Sequence, residues 1–223
     1  MAFHEDNSTV FLTVYDSKLT RRFEAPNNKT ISRINRNGRQ VHEQYFKAIE
    51  GMLYDIELKE TDFGRQWLLW FQDGIDKFVL QLDYRSKEAK DFFSRLPNTK
   101  LDYYIRTEVF KNEKGKTQLF TKQGKASIPS AYTMENPNGR PQMVEVTDAE
   151  GKKKWDDTAQ MKFYEELVAK TNETLYRLHG LPVRLRSASS ASPDTDESFQ
   201  THNDFEHSEA FEADNSKRDN LPF

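Results

Sequence analysis

Apolar and polar residues alternate in short runs along most of the chain, and that period of two predicts strands. The first is STVFLTVYD, residues 8–16. The Asn- and Arg-rich segment 25–40 that follows reads as a loop or arm. Residues 45–60, YFKAIEGMLYDIELKE, carry one long strand whose alternation slips near Gly51. A glycine inside a strand marks a bulge or a tight bend. RQWLLWFQ (65–72) and DKFVLQLDYR (76–85) flank Asp73-Gly74, a hairpin signal. In the second of these, Phe78, Leu80, Leu82 and Tyr84 share one face and Lys77, Gln81, Asp83 and Arg85 the other, as in a half-buried strand.

The period changes at Ser86. That residue is placed to cap a helix over 86–98, with Ala89, Phe92, Phe93 and Leu96 at helical spacing and Pro97 at its end. Strands resume at 101–111 and, across the turn NEKGK, at 117–123. In 101–111 the residues Leu101, Tyr103, Ile105 and Val109 fall on the face expected in the core. The Pro-, Asn- and Gly-rich stretch 128–155 reads as a long functional or partner loop. Residues 156–180 form the clearest helix, with Met161, Tyr164, Leu167, Val168, Leu175 and Leu178 on one stripe and Gly180 beyond its end.

Three strands, a helix and two strands are the order of an OB-fold, a five-stranded barrel that binds oligonucleotides on one face. The expectation is therefore a mainly β body with helices over residues 1–186, built as an OB-fold barrel plus a long C-terminal helix. After Leu185 the composition becomes Ser-rich and acidic, which cannot form a core, so 187–223 is expected to be a disordered acidic tail.

Charge sharpens this division. The net charge of −3 is the sum of a tail at −7, with nine acids against Lys217 and Arg218, and a body at +4, with 31 basic and 27 acidic residues. A basic body with an acidic tail points to a polyanionic ligand. The absence of cysteine excludes disulfides and thiol catalysis and suits a reducing compartment. The start MAFHEDNSTV lacks a signal-peptide pattern, and no apolar run nears the ~20 residues of a membrane helix. The expectation is a cytoplasmic protein with no membrane partner.

Catalysis finds no support in the pattern. His4, His42, His179, His202 and His207 are scattered, and H-E-x-x-H, C-x-x-C, P-loop and G-x-S-x-G motifs are missing. Acid pairs such as Asp156-Asp157 are accounted for by helix capping. The chain is read as a non-enzyme with no cofactor and no metal.

Single strands are held by a basic groove for the backbone and by aromatic faces for the bases. Alternation offers Tyr104, Arg106 and Phe110 on one strand and Phe120 and Lys122 on the next as outward candidates. Trp67 with Phe71, or else Trp70 alone, faces outward from 65–72, depending on register. Each of these rings, taken singly, could serve the core instead. In the arm, Arg33, Arg36 and Arg39 could grip phosphate.

The chain closes on RDNLPF, an apolar tip behind a run of acids. Asp219-Asn220-Leu221-Pro222-Phe223 resembles the tip of bacterial single-stranded-DNA-binding proteins, Asp-Asp-Asp-Ile-Pro-Phe, with Arg218 and Asn220 standing where that tip has acids. Phage single-stranded-DNA-binding proteins also have acidic tails that end in an aromatic residue. The body, through NRNGRQVHEQYFKAIEG, NPNGRPQMVEV and WDDTAQMKFYEELV, is similar to OB-fold proteins of tailed phages that infect Bacteroidetes-type hosts. The resemblance implies a protein that covers single-stranded DNA in replication, recombination and repair. It also implies recruitment of partner enzymes through Asp219, Leu221, Pro222 and Phe223.

Such a tip offers a ring and a carboxylate to an apolar pocket with a basic rim. Phe199, Phe205 and Phe211 recur every six residues among acids, a pattern that mimics a single strand and would let the tail occupy the groove when DNA is absent. The alternative from another class is an OB-like adaptor that binds protein in a replisome or recombination complex. Either a monomer or a homodimer is compatible with the sequence.

Overall fold

The computed structural model describes residues 9–35, 38–62 and 64–181. The run 8–16 holds one strand, β1 (Val10–Tyr15), and the chain then reverses at once into β2 (Lys18–Phe23). Asp16 and Ser17 make the turn with φ of 46° and 59°, the mirror-image geometry that suits a two-residue hairpin. Segment 25–40 differs from the expected loop. It contains β3 (Ile31–Ile34), which pairs with β4 (Gln40–Phe46). Both faces of that hairpin are largely outside the core, so its sequence is polar and masks the strand.

β5 (Ala48–Thr61), β6 (Gly64–Asp73) and β7 (Asp76–Asp83) form an antiparallel meander, with the hairpin turn at the expected Asp73-Gly74. The register shift lies between Leu53 and Asp55 rather than at Gly51. Gly51 answers a different need: a Cβ there would sit 2.7 Å from the Phe78 ring and 3.0 Å from the Gln72 carbonyl oxygen.

Ser86 caps α1 (Lys87–Phe93) as expected, its hydroxyl accepting the Ala89 N–H at 3.1 Å. A 3-10 turn at Leu96–Asn98 follows, then β8 (Ile105–Lys111), β9 (Thr117–Gln123) and the short β10 (Ala126–Ser127). Because β8 begins only at Ile105, Tyr103 escapes the expected core face and is 56% exposed. The stretch 128–155 is not all loop: β11 (Val144–Thr147) and β12 (Lys153–Asp156) pair as a separate two-stranded sheet.

The C-terminal helix is α2 (Thr158–His179), ended by Gly180 in the left-handed conformation at φ 63°. Met161, Tyr164, Val168 and Leu175 of its stripe are buried, whereas Leu178 is exposed in the last turn. No helix among the described residues is long and apolar enough to cross a membrane, which leaves membrane-crossing strands unaddressed.

Ten strands form one sheet in the order β10-β9-β8-β5-β6-β7-β1-β2-β4-β3, and β1 against β7 is its parallel pair. The expected run of three strands, helix and two strands is present as β5-β6-β7-α1-β8-β9, with β8 returning to β5. The ladder does not close into a barrel: β7 takes β1 as its second neighbour, and the sheet continues outward through the N-terminal hairpins.

Along β5, only residues 48–51 pair with β8. Beyond that point α2 covers the exposed edge. Asn172 accepts the Ile56 N–H at 3.1 Å and donates to the Ile56 carbonyl at 2.7 Å, as a neighbouring strand would. The inner sheet face, with Leu12, Leu19, Leu53, Ile56, Trp67, Leu69, Phe71 and Leu80, packs on Phe92 and Phe93 of α1 and on Met161, Tyr164 and Val168 of α2.

Candidate nucleic-acid interface

The register of β6 decides which tryptophan faces out. Trp67, Leu69 and Phe71 point inward, and Trp67 and Phe71 are 0% exposed. Trp67 packs edge-on against Phe93 at 4.7 Å between centroids and donates its indole N–H to the Tyr84 carbonyl at 3.1 Å. These two rings are therefore core, and a base cannot reach them. Trp70 alone lies on the outer face.

Two further rings flank it. Phe11 of β1 meets Trp70 edge-on at 6.3 Å, and Tyr54, the extra residue of the β5 bulge, lies at 6.2 Å. A bulge re-aims a side chain, and here it turns Tyr54 towards the tryptophan. Val79 of β7 sits in register between Phe11 and Trp70, which explains why the outer face of β7 is buried at its centre rather than half-exposed throughout. Among the described residues the Trp70 indole N–H meets no acceptor, so packing on Phe11 and Tyr54 sets the ring's position, not a hydrogen bond.

The second set of candidates assembles on the outer face of β8 and β9. Arg106 stands opposite Lys122 and Glu108 opposite Phe120. Phe110 is 40% exposed and meets Phe120 at 6.4 Å. Arg106 donates to Glu108 at 2.7 Å and to Glu50 at 3.4 Å, and Lys122 donates to Glu108 at 3.0 Å. The hydrogen bond from Arg106, then that from Lys122, hold the Glu108 carboxyl below its usual pKa. Glu108 and Glu50 thus pair with Arg106 and Lys122, and the Arg95 guanidinium also lies 5.7 Å over the Phe120 ring. Tyr104 lies before the strand, and its hydroxyl donates to Asp73 at 2.9 Å, which raises its pKa.

No protein-family model, curated protein or solved structure matches the chain. Its site therefore rests on its own geometry. Arg33 is placed on β3 and Arg39 is exposed in the β3–β4 turn. Arg36 and the tip residues Asp219, Leu221, Pro222 and Phe223 lie outside the described residues. Among the described residues no group of three or more His, Asp or Glu side chains is arranged to hold a metal ion.

Phe11 and Tyr54 are not among the candidates that the sequence offers. A signal for Phe11 exists in the alternation of 8–16, where Val10, Leu12 and Val14 take the inner face. Tyr54 has no such signal, because a bulge breaks the period that would assign it.

Proposed function

We propose that this chain binds single-stranded DNA without strong sequence preference, as a non-catalytic protein of OB type that covers exposed strands in replication, recombination or repair. The single observation that carries the reading is the outward cluster Phe11–Trp70–Tyr54, three rings gathered on the outer sheet face with Phe11 43% exposed. Base–aromatic stacking is sequence-tolerant because every base has a π-face. In an OB fold the second and third strands carry the oligonucleotide face. Within β5-β6-β7-α1-β8-β9 those strands are β6 and β7, and β6 bears Trp70. The pair Phe110 and Phe120 extends the set of platforms on the same outer side of the sheet.

In this reading the acidic tail competes with DNA for the face, and the tip from Asp219 to Phe223 recruits partner enzymes. A protein-binding adaptor is the second reading, favoured by Trp155, which is 60% exposed on the separate β11–β12 sheet, a hairpin that also exposes Val144. Fluorescence anisotropy of a labelled oligo-dT against a duplex of equal length separates the two. DNA covering predicts tight single-strand binding that weakens with salt, and tighter binding when residues 187–223 are removed. No preference for the single strand would give the body to the adaptor reading.

A further inference from the structure

Beyond Phe11 the outer face continues onto the N-terminal hairpins, strands outside the β5-β6-β7-α1-β8-β9 unit. We propose that Lys18, Arg22 and Arg33 on this extension form a phosphate-binding subsite for the strand whose bases stack at Trp70, an inference that rests on the single-strand reading. Register places the three cations together. Tyr15 of β1 is opposite Lys18 of β2, Thr20 opposite Tyr45 of β4, Arg22 opposite Glu43, and Ile31 of β3 opposite Glu43, so Arg33 shares that side.

At the centre is Glu43, whose side chain is 0% exposed. It accepts from Arg22 Nε at 3.1 Å, from Arg33 Nε at 2.9 Å and from the Tyr45 hydroxyl at 3.1 Å. The Arg33 guanidinium lies 3.9 Å over the Tyr15 ring, and Lys18 Nζ lies 4.6 Å over the Tyr45 ring. One buried carboxylate and two rings therefore hold three cations in place before any ligand arrives, which lowers the entropy lost on binding.

Charge decides between the two outer patches. Among outward positions of β1, β2, β3 and β4, Glu43 is the single acid against Lys18, Arg22 and Arg33, an excess of two positive charges. On the β8–β9 patch Glu108 and Glu50 balance Arg106 and Lys122. A polyanionic backbone is drawn to the first patch. Tyr15 is four residues along β1 from Phe11, about 13 Å, so one strand can lie across both. The extension adds to the outer face cations that a buried carboxylate and two rings hold in place.

The test separates phosphate binding from stacking through the salt slope. Affinity of the full chain for oligo-dT is measured from low to high salt for the unchanged protein, for Lys18→Ala, for Arg22→Gln with its fold checked by thermal melting, and for Lys170→Ala on α2. Removing one cation from a phosphate makes the slope of log K against log salt shallower by about 0.7 on a single strand. Lys18→Ala and Arg22→Gln are expected to lower affinity about threefold or more at low salt and to flatten the slope by that step. Lys170→Ala is expected to leave the slope unchanged. If the unchanged protein binds but neither hairpin variant alters the slope, or Lys170→Ala alters it as much, the subsite is overturned while the stacking reading stands. If the unchanged protein does not bind the single strand at all, both fall.

Discussion

Glu43→Ala is expected to destabilise the fold by about 3–5 kcal/mol, the cost of removing one partner from a buried ion pair. For a chain of this size that is a drop in Tm of roughly 6–20 °C. The Glu43 side chain is 0% exposed and those of Arg22 and Arg33 only 29% and 20%, so deletion removes a buried acceptor that both guanidiniums share. Urea melts at neutral pH check the value, and a change under about 1 kcal/mol would mean water replaces the carboxylate at little cost.

The sign of the pH dependence follows from the same contacts. Burial pushes the Glu43 carboxyl up, but hydrogen bonds from Arg33, Arg22 and Tyr45 and the charge of Arg33 outweigh it, and the net shift is below 4.5. A depressed folded pKa gives stability that is fully present above the unfolded value and lost as pH falls from about 4.5 through the folded value. Burial raises Glu88 and Asp91 on α1, and those groups act in the opposite sense. The informative quantity is therefore the difference between the unchanged protein and Glu43→Gln, in which their contributions cancel. That difference should shrink on acidification below about pH 4.5.

Trp70→Ala is expected to weaken oligo-dT binding by about 5- to 150-fold, corresponding to about 1–3 kcal/mol for one stacked base. The salt slope should hold, because no cation that meets phosphate is removed. Trp70→Phe keeps a platform and should recover much of the affinity. Phe110→Ala supplies the comparison on the β8–β9 patch. A larger drop in affinity there than at Trp70 would move the main stacking site to β8 and β9.

What is legible in the sequence follows the physics of each element. The β6–β7 hairpin, α1 with its Ser86 cap and α2 up to Gly180 have short-range signals, and they stand where expected. The strand β3 has none, since Ile31 and Ile34 both remain exposed and no buried face imposes a period. Barrel closure is a long-range matter of which strand β7 chooses, and a parallel partner from the N-terminus leaves no mark in either segment.

For the site, alternation narrows the 65–72 tryptophans to two registers but does not choose between them. The choice falls where Trp67 finds Phe93 and the Tyr84 carbonyl. Arg106 and Lys122 are legible as outward, whereas their neutralisation by Glu108 and Glu50 depends on cross-strand pairing. The Glu43 cluster joins β1, β2, β3 and β4, and no local pattern announces it.

Base stacking at Trp70 is read out by the quenching of intrinsic tryptophan fluorescence on titration with oligo-dT. Of the three tryptophans Trp67 is buried, Trp155 stands on the separate hairpin and Trp70 lies on the outer sheet face. Stacking at the outer face predicts strong quenching in the unchanged protein and loss of most of it in Trp70→Phe, with binding still seen by anisotropy. Binding without quenching, or equal quenching in Trp70→Phe, would overturn the assignment of the DNA face to Trp70.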